Sequence, residues 1–211
     1  MPHKALPMAC HAAAIAAVLL AVTTAPALHA GLTTTDDPAA LPGPAGLEDL
    51  PELAELTVRR LLLADAVAAA EYGTPTTSTA ADLTTEHELF DAVTEHSVEI
   101  GLPATTGVWF FRAQLEAADL VRRGLHARWR AEPALRPQPR PGLAGDLRPR
   151  LDLLTPRLLH LLKDTEPVRG VPRRCAPALA DARRAAETRA RLDRLHREAL
   201  ALALAPVCAA D

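Results

Sequence analysis

Aromatic residues and lysine are both scarce in this chain of 211 residues. Aromatics make up 3% of the sequence and hydrophobic residues 49%, so leucine and alanine must fill most of the core. Only Lys4 and Lys163 are lysines, which leaves arginine as 21 of the 23 basic residues. Any anion site in this protein will therefore use guanidinium groups, whose planar fork suits carboxylates and phosphates.

The sequence also lacks the motifs of several large enzyme classes. It contains no glycine-rich nucleotide loop, no HExxH metal motif and no GxSxG nucleophile turn. The formal net charge is −3 and the pI about 6.2, so no basic excess indicates a nucleic-acid partner. We therefore expect chemistry that depends on shape and charge, without a metal or a cofactor.

Residues 1–30 have the features of a cleavable export signal. Lys4 supplies a positive charge ahead of an apolar run of eleven residues at 12–22, and small residues follow it. Cleavage after Ala27 or after Ala30 fits this pattern. The run is too short for a stable membrane anchor. We therefore expect a secreted or periplasmic protein that has no membrane contact once the signal is removed.

The rest of the chain predicts a flexible leader followed by one all-α domain. Residues 31–47 are rich in threonine, proline and glycine, whereas 48–211 repeat apolar residues at helical spacing. No segment alternates with the two-residue period of a β-strand. We expect a helical bundle of about five to six helices. The predicted helices are at about 49–72, 85–100, 105–131, 147–163 and 177–204.

Three of the predicted helices carry an arginine on a mainly apolar stripe. Arg60 follows Leu56 by one turn in the first helix, and Arg122 follows Ala118 by one turn in the third. Arg157 lies beside the apolar stripe of the fourth helix. A single arginine of this kind usually extends its charged end into solvent. Three together indicate partners inside the bundle, which are either carboxylates or a bound anion.

Two more ionisable side chains share these faces. Glu71 follows Arg60 by eleven residues, which is three helical turns, so both lie on one face of the first helix. His87 follows Leu83 by one turn in the second helix, on a face that continues to Phe90. Taken alone, a solvated glutamate near a helix end and a hydrogen-bonded histidine are the commoner explanations.

Three cysteines are present, and the predicted export signal contains Cys10. Its removal leaves Cys175 and Cys208, and a single remaining pair in an exported chain predicts a disulfide. The alternative is two free thiols or a pair of metal ligands, although no cluster of histidine and cysteine accompanies them.

Four features of the sequence resemble the exported, γ-type class of all-helical chorismate mutases. The segment 59–72 (RRLLLADAVAAAEY) is similar to that family's first-helix pattern of an arginine followed by A-D-x-V-A, and 110–129 is similar to its F-x-x-Q helix. The segment 151–159 (LDLLTPRLL) and the cysteine pair around 192–203 (LDRLHREALALA) follow in the family's order and spacing. The resemblance covers most of 48–208.

The resemblance implies an isomerase. Chorismate mutases rearrange chorismate to prephenate, a step in aromatic amino acid biosynthesis, by a pericyclic Claisen reaction that needs no cofactor and no covalent step. The implied site is a pocket inside the helical bundle of one chain. Arginines there hold the dianionic substrate, and donors stabilise charge on the breaking ether oxygen. A homodimer is compatible with this arrangement.

Carried over by position, the resemblance implies that Arg60 and Arg157 bind substrate carboxylates. Five further positions of the implied site differ from the family pattern, and two of its cations are replaced. They are Glu71 at the catalytic lysine, Leu83 at an arginine, His87 at a glutamine, Ala118 at a small hydroxyl residue, and Arg122 at the Gln or Glu that faces the ether oxygen.

Glu71 and Arg122 permit two hypotheses. In the first, their charges are swapped relative to the family, and Arg122 supplies the cation at the ether oxygen. In the second, they pair with each other and fill the pocket of a non-catalytic relative that binds an anionic ligand or a protein partner. The first expects Arg60, Arg122 and Arg157 to converge on an open cavity. A third hypothesis, an unrelated exported helical adaptor, needs only the signal and the bundle.

Overall fold

The computed structural model describes residues 45–72, 79–138 and 143–209, with only the backbone for 79–84 and 143–146. The predicted export signal and the leader up to residue 44 lie outside the described residues. No helix in the described part combines the length and the apolar character needed to cross a membrane.

The described segments contain seven α-helices, one short 3₁₀ turn and no strand, which confirms the prediction of a single all-α domain. The helices are α1 (Leu50–Glu71), α2 (Thr79–Glu99), α3 (Ala104–Ala131), α4 (Leu143–Asp164), α5 (Glu166–Arg169), α6 (Pro172–Arg189) and α7 (Arg194–Leu204), and the 3₁₀ turn is Pro133–Leu135.

Two of the predicted helix starts were too late. α2 begins at Thr79 rather than near Thr85, because no glycine or proline interrupts the intervening residues and the helix continues through them. α4 begins at Leu143 rather than near residue 147. The predicted break at 165–175 is partly helical, since it contains α5 and the start of α6.

The predicted fifth helix is divided into α6 and α7. Between Arg189 and Arg194 the chain passes through Arg191, whose φ of 51° lies in the left-handed region that non-glycine residues seldom adopt. Asp193 caps α7, because its Oδ1 accepts the backbone N–H of His196 at 3.0 Å. Neither glycine nor proline marks this break, so the residue pattern did not predict it.

α1 lies at the centre of the bundle and contacts α3, α4, α6 and α7. Its buried face consists mainly of leucine and alanine, as the low aromatic content predicts. Phe110 and Phe111 of α3 are fully buried against this core. α3 also approaches α7 closely at Gly124, where a Cβ atom would lie 2.6 Å from a methyl of Leu195. α2 packs against α3 and α4 and completes the bundle.

Cys175 in α6 and Cys208 beyond α7 form a disulfide with a Cα–Cα distance of 5.6 Å. This confirms the predicted pairing and excludes the free-thiol and metal-ligand alternatives. The two cysteines are 33 residues apart. Closing a loop of this length restricts the unfolded chain and stabilises the fold by about 4 kcal/mol.

A buried ionic cluster joins α7 to α1. His196 is 7% exposed, and its Nε2 lies 2.8 Å from Asp65 Oδ1 while its Nδ1 lies 2.7 Å from Asp193 Oδ1. The hydrogen bond with Asp65, followed by that with Asp193, raises the pKa of His196 to about 9 against the opposing effect of burial. The imidazolium form is therefore favoured by folding at neutral pH.

We predict that this cluster makes stability fall at alkaline pH. The folded pKa of about 9 exceeds the ordinary value of 6.5, so the contribution is complete below about pH 6.5 and is lost as pH rises through 9. Urea unfolding at pH 6 and pH 10 measures the free energy of unfolding of the wild type and of His196→Gln. The difference between the two proteins should be smaller at pH 10 by roughly 2 kcal/mol, a value reduced for the partial exposure of the two carboxylates. A difference that does not change with pH would show that His196 does not bind a proton on folding.

Candidate functional site

A cavity of about 1040 Å³ opens inside the bundle of the single chain. Its walls come from α1, α2, α3 and α4, and both arginines and carboxylates face it. The ionisable lining residues are Arg60 and Glu71 of α1, Glu86, Glu88 and His96 of α2, Arg112, Glu116, Asp119 and Arg122 of α3, and Arg148 and Asp152 of α4.

Arg60 is the most deeply buried cation of this lining. Its side chain emerges from the centre of α1, only 9% of the residue is exposed, and the guanidinium carbon lies 5.3 Å above the ring of Phe111. Its Nη1 is buried without a hydrogen-bond partner among the described residues. Desolvation lowers the pKa of Arg60 to about 10, which Asp152 partly opposes, so the group stays charged at neutral pH.

A buried charged donor without a partner is costly, and a bound anion would remove that cost. Arg60 faces the cavity, so the anion would bind there. A carboxylate matches the planar guanidinium through charge-assisted hydrogen bonds. Arg60 is therefore a candidate anion-binding point in the cavity lining.

Carboxylates from two helices hold Arg122 of α3. Its Nη2 and Nε donate to Asp119 Oδ1 at 2.6 and 3.1 Å, and its Nη1 lies 3.6 Å from Glu71 Oε2 of α1. Asp119 also accepts a hydrogen bond from the outward-facing Arg123 at 2.7 Å. Glu71 and Arg122 thus contact each other, as the pairing hypothesis expects, while the cavity beside them stays open.

Arg148 of α4 also lines the cavity, and the sequence did not single it out. Its Nη2 donates to Glu88 Oε2 of α2 at 3.0 Å, and this hydrogen bond is the main cause of its raised pKa. The helix was predicted to start near residue 147, where an arginine in the first turn is normally solvated. α4 begins at Leu143, so Arg148 lies beyond its first turn. This earlier start was not recognised in the sequence, and Arg148 was therefore not predicted.

Arg157 lies outside the cavity. Its side chain is 59% exposed in a shallow groove on the other side of α4, where Nη2 is 3.9 Å from Glu52 Oε1 of α1. The neighbouring Leu158 and Leu159 are the residues that α4 buries in the core at this level. The described arginines that line the cavity from α1, α3 and α4 are therefore Arg60, Arg112, Arg122 and Arg148, and Arg157 is not among them.

Of the remaining predicted site residues, one lines the cavity, one lies outside it, and one has a side chain outside the described residues. Ala118 lines the cavity. His87 has a side chain 81% exposed, which lies 3.5 Å from Asp91 on the outer face of α2 and outside the lining. The side chain of Leu83 is outside the described residues. The described residues contain no group of histidine, cysteine and acidic side chains that could hold a metal ion.

Carboxylates outnumber guanidinium groups among the described residues around the cavity. Four arginines and six carboxylates of this described part line it. Arg122 and Arg148 already have carboxylate partners in the lining. The described part of the site therefore combines one buried candidate anion-binding point with several paired charges.

A scan against protein-family models gives no match, and a search of curated proteins gives none either. The solved structures include two similar proteins. The chorismate mutase of Burkholderia thailandensis is 31% identical, with a TM-score of 0.69 over 76% of this chain and 99% of its own. The chorismate mutase of Burkholderia phymatum is 29% identical, with a TM-score of 0.69 over 78% of this chain and 99% of its own.

We predict that the charge of Arg60 destabilises the ligand-free protein. Arg60→Met keeps a long apolar side chain against Phe111 and removes an unpartnered buried cation, so the free energy of unfolding should rise by about 1 kcal/mol. Urea unfolding at pH 7 without ligand measures this. Arg148→Met, at a side chain 58% exposed, is the control and should change stability by less than about 0.5 kcal/mol. A loss of stability in Arg60→Met would mean that the guanidinium is satisfied in the folded protein.

Proposed function

The chain belongs to the chorismate mutase family, and we propose that it rearranges chorismate to prephenate in the cavity between α1, α2, α3 and α4. The observation that carries this proposal is Arg60, a buried guanidinium with an unsatisfied donor in an open cavity of one chain. A carboxylate of the substrate is the anion that this group is suited to bind.

The reaction needs little more than positioning and charge. It breaks an ether C–O bond and forms a C–C bond within one molecule, so neither a covalent intermediate nor a co-reactant is required. Arg60 fixes one carboxylate at the α1 wall, and the surrounding helices hold the two ends of the substrate within bonding distance. Arg148, which lines the cavity from α4, would bind the second carboxylate in exchange for its contact with Glu88.

Arg122 is the cation proposed to act on the breaking ether oxygen. It lies on the α3 wall of the cavity, and Asp119 fixes its orientation through two hydrogen bonds. A preoriented donor of this kind stabilises the charge that grows on the oxygen in the transition state. In this arrangement Arg122 replaces, from the opposite wall, the lysine that the family resemblance implies at Glu71.

A second candidate function is binding without catalysis. The contact between Arg122 and Glu71 at 3.6 Å favours it, because Glu71 brings a negative charge towards a dianionic substrate. On this alternative Arg60 still binds a carboxylate, but no cation is directed at the ether oxygen.

We also propose that the protein acts outside the cytoplasm. The apolar run at 12–22, the charge at Lys4 and the small residues that follow support export. A disulfide is stable in such an oxidising compartment, and the pair Cys175–Cys208 is consistent with one.

For catalysis we predict turnover of chorismate by the oxidised protein, followed by the loss of its absorbance. Arg60→Met should lower kcat/KM by about 100- to 1000-fold, because it removes a desolvated charge-assisted contact. Arg122→Met should lower kcat more than it changes KM, because its interaction is proposed for the transition state. Arg194→Met, at a side chain 87% exposed on α7, is the matched control and should keep wild-type rates.

Two outcomes would decide against parts of this proposal. Chorismate that binds to the wild type without reacting would establish the second candidate function. Turnover that is unchanged in Arg122→Met would leave the mutase activity in place and remove Arg122 from the mechanism.

Export predicts a processed N-terminus. Expression of the full chain in a secreting host should give an extracytoplasmic protein that begins at Leu28 or Gly31, according to cleavage after Ala27 or Ala30. Mass spectrometry of the purified protein measures this. A protein that stays in the cytoplasm with residues 1–30 attached would rule out the signal.

A further inference from the structure

The cavity contains one neutral amide side chain, that of Gln114. Gln114 and Gln138 are the only side-chain amides in the chain, and Gln114 lines the cavity from α3 with 4% of the residue exposed. It follows Phe111, which covers Arg60, by three residues and precedes Ala118 of the lining by four. This spacing puts Gln114 on one face of α3 with both neighbours, on the wall next to the candidate anion-binding point.

A backbone carbonyl fixes the orientation of this amide. Nε2 of Gln114 donates to the carbonyl oxygen of Ala203 at 3.1 Å, in the last turn of α7, where carbonyls lack helical partners. A carbonyl can only accept, so the amide nitrogen must be the atom that faces it. Oε1 accepts no hydrogen bond from the described residues, and it is not one of the fully enclosed atoms without a partner. The oxygen is therefore an open acceptor beside the cavity.

Chorismate has a single group that such an acceptor can bind. Its two carboxylates and its ether oxygen only accept hydrogen bonds, whereas the hydroxyl on its ring can donate one. We propose that Gln114 recognises the ring hydroxyl of the substrate, which donates a hydrogen bond to Oε1. The inference rests on the proposed mutase function and adds a specificity-determining residue to it.

The contact selects for the hydroxyl because its loss leaves a polar atom unpaired. A substrate without the hydroxyl would cover Oε1 and remove water from it without replacing the hydrogen bond. A site of this kind discriminates strongly against the analogue that lacks the donor. The hydroxyl takes no part in the rearrangement, so the contact is the same in the ground state and the transition state. It should therefore lower KM and leave kcat nearly unchanged.

The experiment compares chorismate with its analogue that lacks the ring hydroxyl, using the oxidised protein at pH 7. For each compound, kcat/KM is divided by the rate constant of the uncatalysed rearrangement, which removes the difference in intrinsic reactivity. We expect the wild type to favour chorismate by about 10- to 100-fold on this scale. Gln114→Met keeps an unbranched side chain of similar length and removes the acceptor, and it should reduce the preference to about one.

The preference separates recognition of the hydroxyl from a structural role. Loss of the hydrogen bond to Ala203 affects both compounds equally, so a structural role alone would leave the preference unchanged. Thr165→Val is the matched control, because it removes another buried hydrogen bond to a backbone carbonyl, from Oγ1 to Leu162 at 2.8 Å, outside the cavity lining. It should keep the wild-type preference. Gln114→Leu gives the same comparison if Gln114→Met does not fold.

The outcomes separate this inference from the proposed function. Turnover of both compounds without a preference for chorismate would overturn the inference and leave the mutase function intact. A preference that survives in Gln114→Met would overturn the assignment of Gln114. If neither compound reacts, the mutase function fails, and calorimetric affinities replace kcat/KM. Tighter binding of chorismate by the wild type, with equal binding of both compounds by Gln114→Met, would then support the inference, and any other pattern would overturn it.

Discussion

The buried guanidinium of Arg60 is the constraint on which the rest of the structure depends. It lies on the central helix, so α3 and α4 must pack against α1 and still leave a space for what it binds. The ring of Phe111 covers one face of the group and excludes water from it. A cation held in this way is oriented before a ligand arrives, so little freedom is lost on binding.

Two other arginines of the lining are paired with carboxylates. Arg122 and Arg148 are more exposed than Arg60, and each has a carboxylate within hydrogen-bond distance. Such pairs hold the two side chains in place at little cost in stability, because water still reaches them.

The sequence predicted most of the fold, and four of its candidate site residues line the cavity. Long periodic stripes with clear breaks, as in α1 and α3, specify a helix and its buried face. Arg60 was identified as a candidate residue because it lies on such a stripe. The break at Arg191 depends on one strained φ angle that no residue type announces. Arg157 was chosen from its place beside the apolar stripe of α4 and from the resemblance, but that position faces the groove with Glu52. Arg148 was missed because α4 was predicted to begin only near residue 147. Contacts between different helices, such as that of Asp65 with His196, cannot be predicted from the sequence around either residue.

The links that stabilise the bundle and the cavity proposed to bind a ligand lie in different parts of it. The disulfide links α6 to the chain after α7, and the His196 cluster links α7 to α1. The cavity, in contrast, lies among α1 to α4. Domains of this size are stable by only about 5–15 kcal/mol, so an unpartnered buried charge such as Arg60 must be offset elsewhere. A disulfide of about 4 kcal/mol is sufficient for that. Because the disulfide and the His196 cluster lie away from the cavity, the charges of the lining can differ without loss of the fold.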